Sequence, residues 1–452
     1  MHQLHTPATA TLRGRLSSAG FIVVLVCLAV ATVWVIAGNL QPELLRPSQG
    51  DYVMDHLTGE FGRRPDEFSL FGLPMDFMCY WMAGRSLLSG HDVWETAYHV
   101  YNGNGVILEL PFTYPPIAAL FFALWALIPL EISSTLWQVV SLLLWGWIVY
   151  ASLGLMRLSE ARRLVVTPLV TVASFLLFPV WGSFYWGQVN VAIMALILVD
   201  FYRPAHRESR FAGVGVGLAA AIKLHPAFFG LLFLAQKRYR AAVTSAVTFF
   251  AVSIVSSLVV PGGLRYWVDI MLDTNRFDGI KNATSQSILV VLKRDYGMQS
   301  PTLWLVLSAV LTLLCFFALR VLVKRGQIVA ACALTGLVMC LVSPFAWYHY
   351  YLWLLPLAIA VVGAALMSFE RRVTGERPLL LAAGALAILT ASLAILLPYM
   401  GADYGLSVDL HDQIRVDSPE ENTGLWTWWS LALAVGVSVG SIAFPPIRAP
   451  RR

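Results

Sequence analysis

The sequence predicts an all-α polytopic membrane protein, a bundle of about twelve transmembrane helices, and three observations carry that expectation. Hydrophobic residues make up 58% of the chain and charged residues 13%, with a mean hydropathy of +0.70. Uncharged runs of roughly 17 to 25 residues recur, the length a helix needs to cross about 30 Å of hydrocarbon. Short Lys/Arg clusters separate them, so the net charge of +5 reports orientation and not nucleic-acid binding. A backbone exposed to lipid must satisfy its own hydrogen bonds, and that requirement selects a helix bundle.

In chain order, Arg13 and Arg15 precede a first run at about 20–38, with no small-residue cleavage site after it. An uncleaved span with a cytoplasmic N-terminus is expected. The polar stretch 39–111 then forms the first of three large outer loops and holds Asp51, Asp55, Asp66, Glu67, Asp76, Asp92 and Glu95. Within it, 76–90 reads as a helix too short to span, with Phe77, Tyr80, Trp81, Gly84, Leu87 and Leu88 on one face, lying at headgroup depth. Further spans are read at about 114–130, 134–156, 164–182, 188–202, 211–235, 240–260, 302–320, 327–343, 351–369, 378–398 and 425–444. Loops 261–301 and 399–425 then fall outside, the basic segments 320–325, 371–377 and 448–452 inside, and the whole chain 1–452 forms a single integral membrane domain.

Two basic clusters conflict with this count, because Arg157, Arg162 and Arg163, then Arg203, His206, Arg207 and Arg210, fall outside. One resolution makes 114–130 a half-helix and breaks 211–235 at Lys223-Leu224-His225-Pro226 into a re-entrant pair, since irregular backbone is allowed at membrane depth where protein buries it. The other keeps twelve crossings and assigns the basic loops to the phosphate of an anionic lipid. The five cysteines show neither a disulfide framework nor a metal-binding spacing.

No period of 20 to 50 residues recurs and no matching pair of interrupted segments stands in the two halves, which weighs against a transporter of inverted repeats. Nucleotide-binding and nucleophile-elbow patterns are absent, so any reactive group arrives with the substrate. The candidate general base is Asp76, because an acid near lipid costs free energy unless it pairs, binds substrate or moves a proton. A plain helix cap is the competing reading. Lys223 and His225 lie in an otherwise apolar stretch, where an anion such as a phosphate is the expected partner and Asp200 the one structural alternative. Gln188 and Asn190 supply neutral donors and acceptors in a glycine-rich aromatic break, which equally suits an interfacial belt. Tyr114 opens the second span beside Pro115 and Pro116. Trp347, Tyr348 and His349 sit in an aromatic run suited to stacking on a sugar ring or guiding an isoprenoid tail.

Asp76 in an aromatic juxtamembrane helix, Tyr-Pro-Pro at 114–116, Gly-Gln-Val-Asn at 187–190, Ile-Lys-Leu-His-Pro at 222–226 and Ser-Pro-Phe-Ala-Trp-Tyr-His at 343–349 occur in this order. Together they resemble the actinobacterial polyprenol-phosphate-mannose-dependent alpha-(1→2)-mannosyltransferases of the GT-C superfamily. That resemblance implies a GT-C-type bundle with outer juxtamembrane helices, in the plasma membrane, with its site on the extracytoplasmic side. The implied reaction moves mannose from polyprenyl-phosphate mannose to a glycolipid or lipoglycan acceptor such as a phosphatidylinositol mannoside, with Asp76 as base. Lys223, His225, His349, Gln188 and Asn190 are then expected at the donor phosphate or sugar, and Tyr114, Trp347 and Tyr348 at the acceptor or lipid. Partners are the lipid-linked donor, the acceptor and membrane lipids, with no nucleic acid. Many GT-C enzymes pair two acids around a divalent metal, whereas Met75-Asp76-Phe77 offers one, so no cofactor is expected and a metal stays open. The rivals are an arabinofuranosyltransferase using decaprenyl-phosphate arabinose, which needs the same groove and base, and a flippase for lipid-linked sugars, which needs a through path and no base.

Overall fold

A computed structural model describes residues 53–55, 60–62, 74–96, 98–101, 107–202, 209–271, 285–370 and 424–447. The expected spans at 20–38 and 378–398, most of loop 39–73, residues 272–284 of the second outer loop, and 399–423 of the third lie outside these described residues. Apart from single turns, the helices are α1 (Met75–Leu88), α2 (Pro116–Trp125), α3 (Leu130–Leu155), α4 (Glu160–Ala173), α5 (Phe178–Tyr185), α6 (Asn190–Phe201) and α7 (Val214–Ile222). They continue with α8 (Gly230–Ala235), α9 (Tyr239–Val259), α10 (Ile288–Arg294), α11 (Thr302–Lys324), α12 (Ile328–Val342), α13 (Leu354–Glu370) and α14 (Leu425–Val439).

Among the described residues, α3, α9, α11 and the segment Tyr348–Met367 are long and apolar enough to cross a membrane. A fifth joins them if α5 and α6, bent by 119° at their junction, count as one span. Proline stands at the N-cap of α1 (Pro74), α2 (Pro115), α3 (Pro129) and α11 (Pro301), where its missing N–H costs nothing and its fixed φ sets the entry angle. Along α9 only 17% of the apolar window is buried, and Val243, Val247, Phe250, Ile254 and Leu258 face outward, the surface lipid requires.

The first loop departs from the all-helical expectation. Strands β1 (Val53–Asp55), β2 (Glu60–Gly62), β3 (Tyr98–Tyr101) and β4 (Ile107–Leu110) form one sheet in sequential order. The outer pairs run antiparallel, and β2 runs parallel to β3 with Phe61 opposite Tyr98. Strands of three or four residues are too short for a period of two to register in sequence.

Hydrogen bonds between helix ends show which ends lie together. The Ser152 and Tyr202 hydroxyls share a bond of 2.8 Å, so α3 and α6 finish at one level. At the same level the Asp200 carboxylate accepts the N–H of Gly213 (2.8 Å) and of Val216 (2.9 Å), while its backbone carbonyl accepts from Arg238 (3.0 Å). The stretch 213–238 therefore starts and ends at one place. It is a hairpin of α7 and α8 whose tip is Lys223, held in extended backbone between them. Arg320 donates to the Ala235 carbonyl, and Gln327 donates to that of Pro445 at 2.7 Å, bringing the basic end of α11 and the segment after α14 to this same end. The expected span 211–235 is thus a hairpin. The expected span 114–130 is helical only over α2, about 15 Å of rise. The expected span 164–182 is interrupted between α4 and α5 by a 3₁₀ turn at Ser174–Leu176. Asp200, considered above as a partner for Lys223, instead caps α7. Its negative charge suits the exposed N–H groups of a helix start.

Helix α1 is buried around most of its circumference, with Phe77, Cys79, Tyr80, Met82 and Ala83 all in the core, whereas its sequence pattern marks one apolar face. Gly84 lets α2 approach it, since a Cβ there would stand 2.5 Å from the Phe122 carbonyl oxygen. Gly84→Val is expected to force the two helices apart and destabilise the protein by about 1 to 3 kcal/mol. A thermal melt of the purified protein checks this, with Leu258→Ala on the lipid face leaving the midpoint unchanged.

Candidate active site

The turn between α5 and α6 organises the site. Its Trp186 carbonyl accepts the backbone N–H of Asp76 (3.1 Å) and of Phe77 (3.3 Å), so α1 is capped by a distant turn. Asp76, in the first turn of α1, makes no cap with its side chain and accepts a hydrogen bond from the Gln188 amide. The cap reading of Asp76 is not what the structure contains. Gly187 has φ +66°, and a Cβ there would stand 2.6 Å from Pro74 Cβ and 2.8 Å from Phe77 Cβ. Only glycine combines the left-handed backbone with this approach. Trp137 Nε1 donates to the Gly187 carbonyl at 2.9 Å and holds the turn from α3.

From Gln188 a line of polar side chains runs inward. Tyr114 Oη donates to Gln188 Oε1 at 3.4 Å and lies 2.7 Å from Tyr80 Oη. Lys223 Nζ donates to Tyr114 Oη (3.4 Å) and to Asn190 Oδ1 (3.0 Å), and stands 3.6 Å from the centroid of the Tyr350 ring. Asn190 in turn donates to the His349 carbonyl at 3.3 Å. The hairpin tip, α1, the start of α2, the α5–α6 turn and the segment after α12 each contribute, which joins residues more than a hundred positions apart. Lys223 is 8% exposed, and among the described residues its donors meet only neutral groups.

Burial pushes the Asp76 carboxyl far above the usual carboxylate range, to about 7, while the Gln188 hydrogen bond and the positive charge of Lys223 act in the opposite direction. A group balanced there exchanges a proton near neutral pH.

The other expected residues fall close by. His225 stacks on Tyr350, centroids 5.3 Å apart and planes 13° apart. His349 is 4% exposed, and neither ring nitrogen has a partner among the described residues. Trp347 is half-buried and lies parallel to His349, 18° between planes. Tyr348 is buried, and its hydroxyl accepts from Trp186 Nε1 at 2.9 Å, so it braces the turn from behind. Sequence reasoning missed Tyr80, Trp186 and Tyr350. All three lie in aromatic-rich stretches of the sequence, and only their pairing across the fold distinguishes them from neighbouring rings.

A divalent metal fits this donor set poorly. A hard cation takes six or more oxygen ligands, several of them anionic. Here one carboxylate receives an amide N–H with a lysine close by, and among the described residues no three His, Cys, Asp or Glu side chains gather.

In a helical membrane protein, an acid and a buried lysine joined through neutral amides and phenols can move a proton and meet an anion. The family model described as Glycosyltransferase family 87 matches residues 112–344, a region that begins after Asp76. The chain belongs to this family and is a glycosyltransferase. It is 30% identical over 381 residues to a polyprenol-phosphate-mannose-dependent alpha-(1-2)-phosphatidylinositol mannoside mannosyltransferase of Mycobacterium tuberculosis, covering 78% of this chain and 81% of that one. It is 35% identical over 267 residues to the corresponding phosphatidylinositol pentamannoside mannosyltransferase of Mycolicibacterium smegmatis, covering 57% and 63%. An alpha-(1→3)-arabinofuranosyltransferase of Corynebacterium glutamicum matches at 26% over 200 residues, 42% of this chain and 44% of that one. No solved structure gives a significant match.

Infrared titration of the protonated carboxyl band, assigned by its loss in Asp76→Asn, is expected to give a midpoint near 7 in the wild type. Gln188→Leu removes a hydrogen bond to the charged form, worth about 1.5 to 3 kcal/mol, and is expected to raise the midpoint by about one to two units.

Proposed function

We propose that the protein transfers mannose from polyprenyl-phosphate mannose to a lipid-anchored mannoside or lipoglycan, forming an alpha-(1→2) linkage with Asp76 as general base. The observation that carries this reading is the hydrogen-bonded line from Asp76 to Lys223, a carboxyl that titrates near 7 at one end and a buried ammonium contacted only by neutral groups at the other. The names of the relatives supply the sugar, the lipid carrier and the acceptor class.

The acceptor hydroxyl gives its proton to the Asp76 carboxylate as its oxygen attacks the anomeric carbon from the face opposite the phosphate. The bond from that carbon to the phosphate oxygen breaks, and the electron pair leaves on polyprenyl phosphate, inverting a beta-linked donor to an alpha product. Lys223 stabilises the charge that grows on the departing phosphate. His349, whose ring nitrogens have no hydrogen-bond partner among the described residues, and His225 bind donor phosphate or sugar, with Gln188 and Asn190 orienting the base and the ammonium. Trp347 offers its half-buried face to the acceptor, and Tyr114 links the two ends.

The end of the bundle that carries Arg157, Arg162, Arg163, Arg210, Lys237, Arg238, Lys324 and Arg325 faces the cytoplasm in this reading. Asp76 then opens on the extracytoplasmic side of the plasma membrane, among outer loops 39–111, 261–301 and 399–425. With 114–130 and 211–235 entering only part way, about ten segments cross. Arabinofuranosyl transfer is the second reading, favoured by the match to the arabinofuranosyltransferase.

Transfer of labelled mannose from synthetic polyprenyl-phosphate mannose to phosphatidylinositol mannosides tests the reading. Asp76→Asn is expected to lower turnover by about 100 to 10,000-fold at unchanged thermal stability. Full activity in that variant removes Asp76 from the mechanism, and transfer of arabinose alone selects the second reading. Because the carboxylate must be ionised to take the proton and the Lys223 ammonium must stay protonated to meet the phosphate, wild-type turnover is expected to rise with pH as Asp76 ionises near 7 and to fall again as the lysine loses its proton.

A further inference from the structure

We propose that Tyr350 is a positioning residue for the transfer, its ring holding the Lys223 ammonium in place while leaving the charge free for the substrate phosphate. The inference rests on the transfer reading above and assigns a role to a side chain that reading does not use. An ammonium has three N–H bonds to direct. Lys223 sends one to Asn190 Oδ1 at 3.0 Å and one to Tyr114 Oη at 3.4 Å, and the Tyr350 ring centroid lies 3.6 Å from Nζ. That is close for a cation over an aromatic face, and the attraction is strongest where water is excluded. A carboxylate in this position would anchor Lys223 equally well, but it would neutralise the charge that an arriving phosphate needs to meet. The ring anchors without neutralising.

Tyr350 is itself held by two contacts. The His225 ring stacks on it at 5.3 Å, and Cys340 Sγ donates to its backbone carbonyl at 3.4 Å. Its position follows from the chain: a 3₁₀ segment at Tyr348–Trp353 carries it, which buries Tyr348 and Tyr351 and packs the partly buried Tyr350 ring at the hairpin tip. The contact to Lys223 uses the ring and not the hydroxyl, so phenylalanine is the substitution that preserves it.

The test compares wild type, Tyr350→Phe and Tyr350→Leu in two readouts: stabilisation of the purified protein by polyprenyl phosphate, which carries the phosphate without the sugar, and kcat and KM for mannosyl transfer. Tyr350→Phe is expected within about twofold of wild type in both, and Tyr350→Leu to lose about tenfold in affinity for polyprenyl phosphate and at least as much in kcat. Equal losses in both variants, undiminished binding by Tyr350→Leu, or a wild type that polyprenyl phosphate does not stabilise each overturn the proposal. Should Tyr350→Leu fail to fold, phenylalanines bearing one, two and three fluorines at 350 replace it. A stepwise fall in binding supports the proposal, and a flat series overturns it. A wild type that binds polyprenyl phosphate yet transfers no mannose removes the donor assignment and leaves the binding arm of this test intact.

Discussion

The contact between the Trp186–Gln188 turn and the first turn of α1 is the constraint from which the site follows. One carbonyl takes two backbone N–H groups of α1 and one amide takes the Asp76 carboxylate, so a single turn sets both the start of the helix and the direction of its acid. Everything further in is referred to that turn. Gln188 passes its position to Tyr114, and Tyr114 passes it to Lys223. Trp137 and Tyr348 brace the turn from two other helical segments, so its geometry is held from three sides.

The electrostatic arrangement is economical in charge. Burying an isolated carboxylate or ammonium is costly, and direct pairing of the two would relieve the cost by cancelling both. Here they are separated by neutral groups that hydrogen-bond to each. The acid remains close to the pH at which it gains and loses a proton, and among the described residues no carboxylate contacts the lysine. A site built this way is less stable than an ion pair and more available to an anionic substrate.

Several features were legible in the sequence because their cost is visible residue by residue. An acid beside lipid, and a lysine with a histidine inside an apolar run, stand out against hydropathy, and the structure puts Asp76 and Lys223 in one network with Gln188, Asn190 and Tyr114. The hairpin was legible only as a conflict: the positive-inside count failed around Arg157 and Arg210, and one resolution of it included a break at Lys223, where the structure has a hairpin with its ends meeting at Asp200. What could not be read depended on pairing across the fold. Asp200 reads as a partner for Lys223 by charge, yet the helix start at Gly213 takes it. The face pattern of α1 suggests a helix on a surface, but α2 and the α5–α6 turn enclose it. Tyr350 differs from the rings around it only in what lies above its face.

The hairpin also ties the place of Lys223 to the packing at the basic end. Both of its legs return to the end where Asp200 meets Gly213, Val216 and Arg238, so the lysine is carried at the apex of a segment anchored at its base. A change at that base therefore reaches the ammonium through the hairpin without altering any group that touches it.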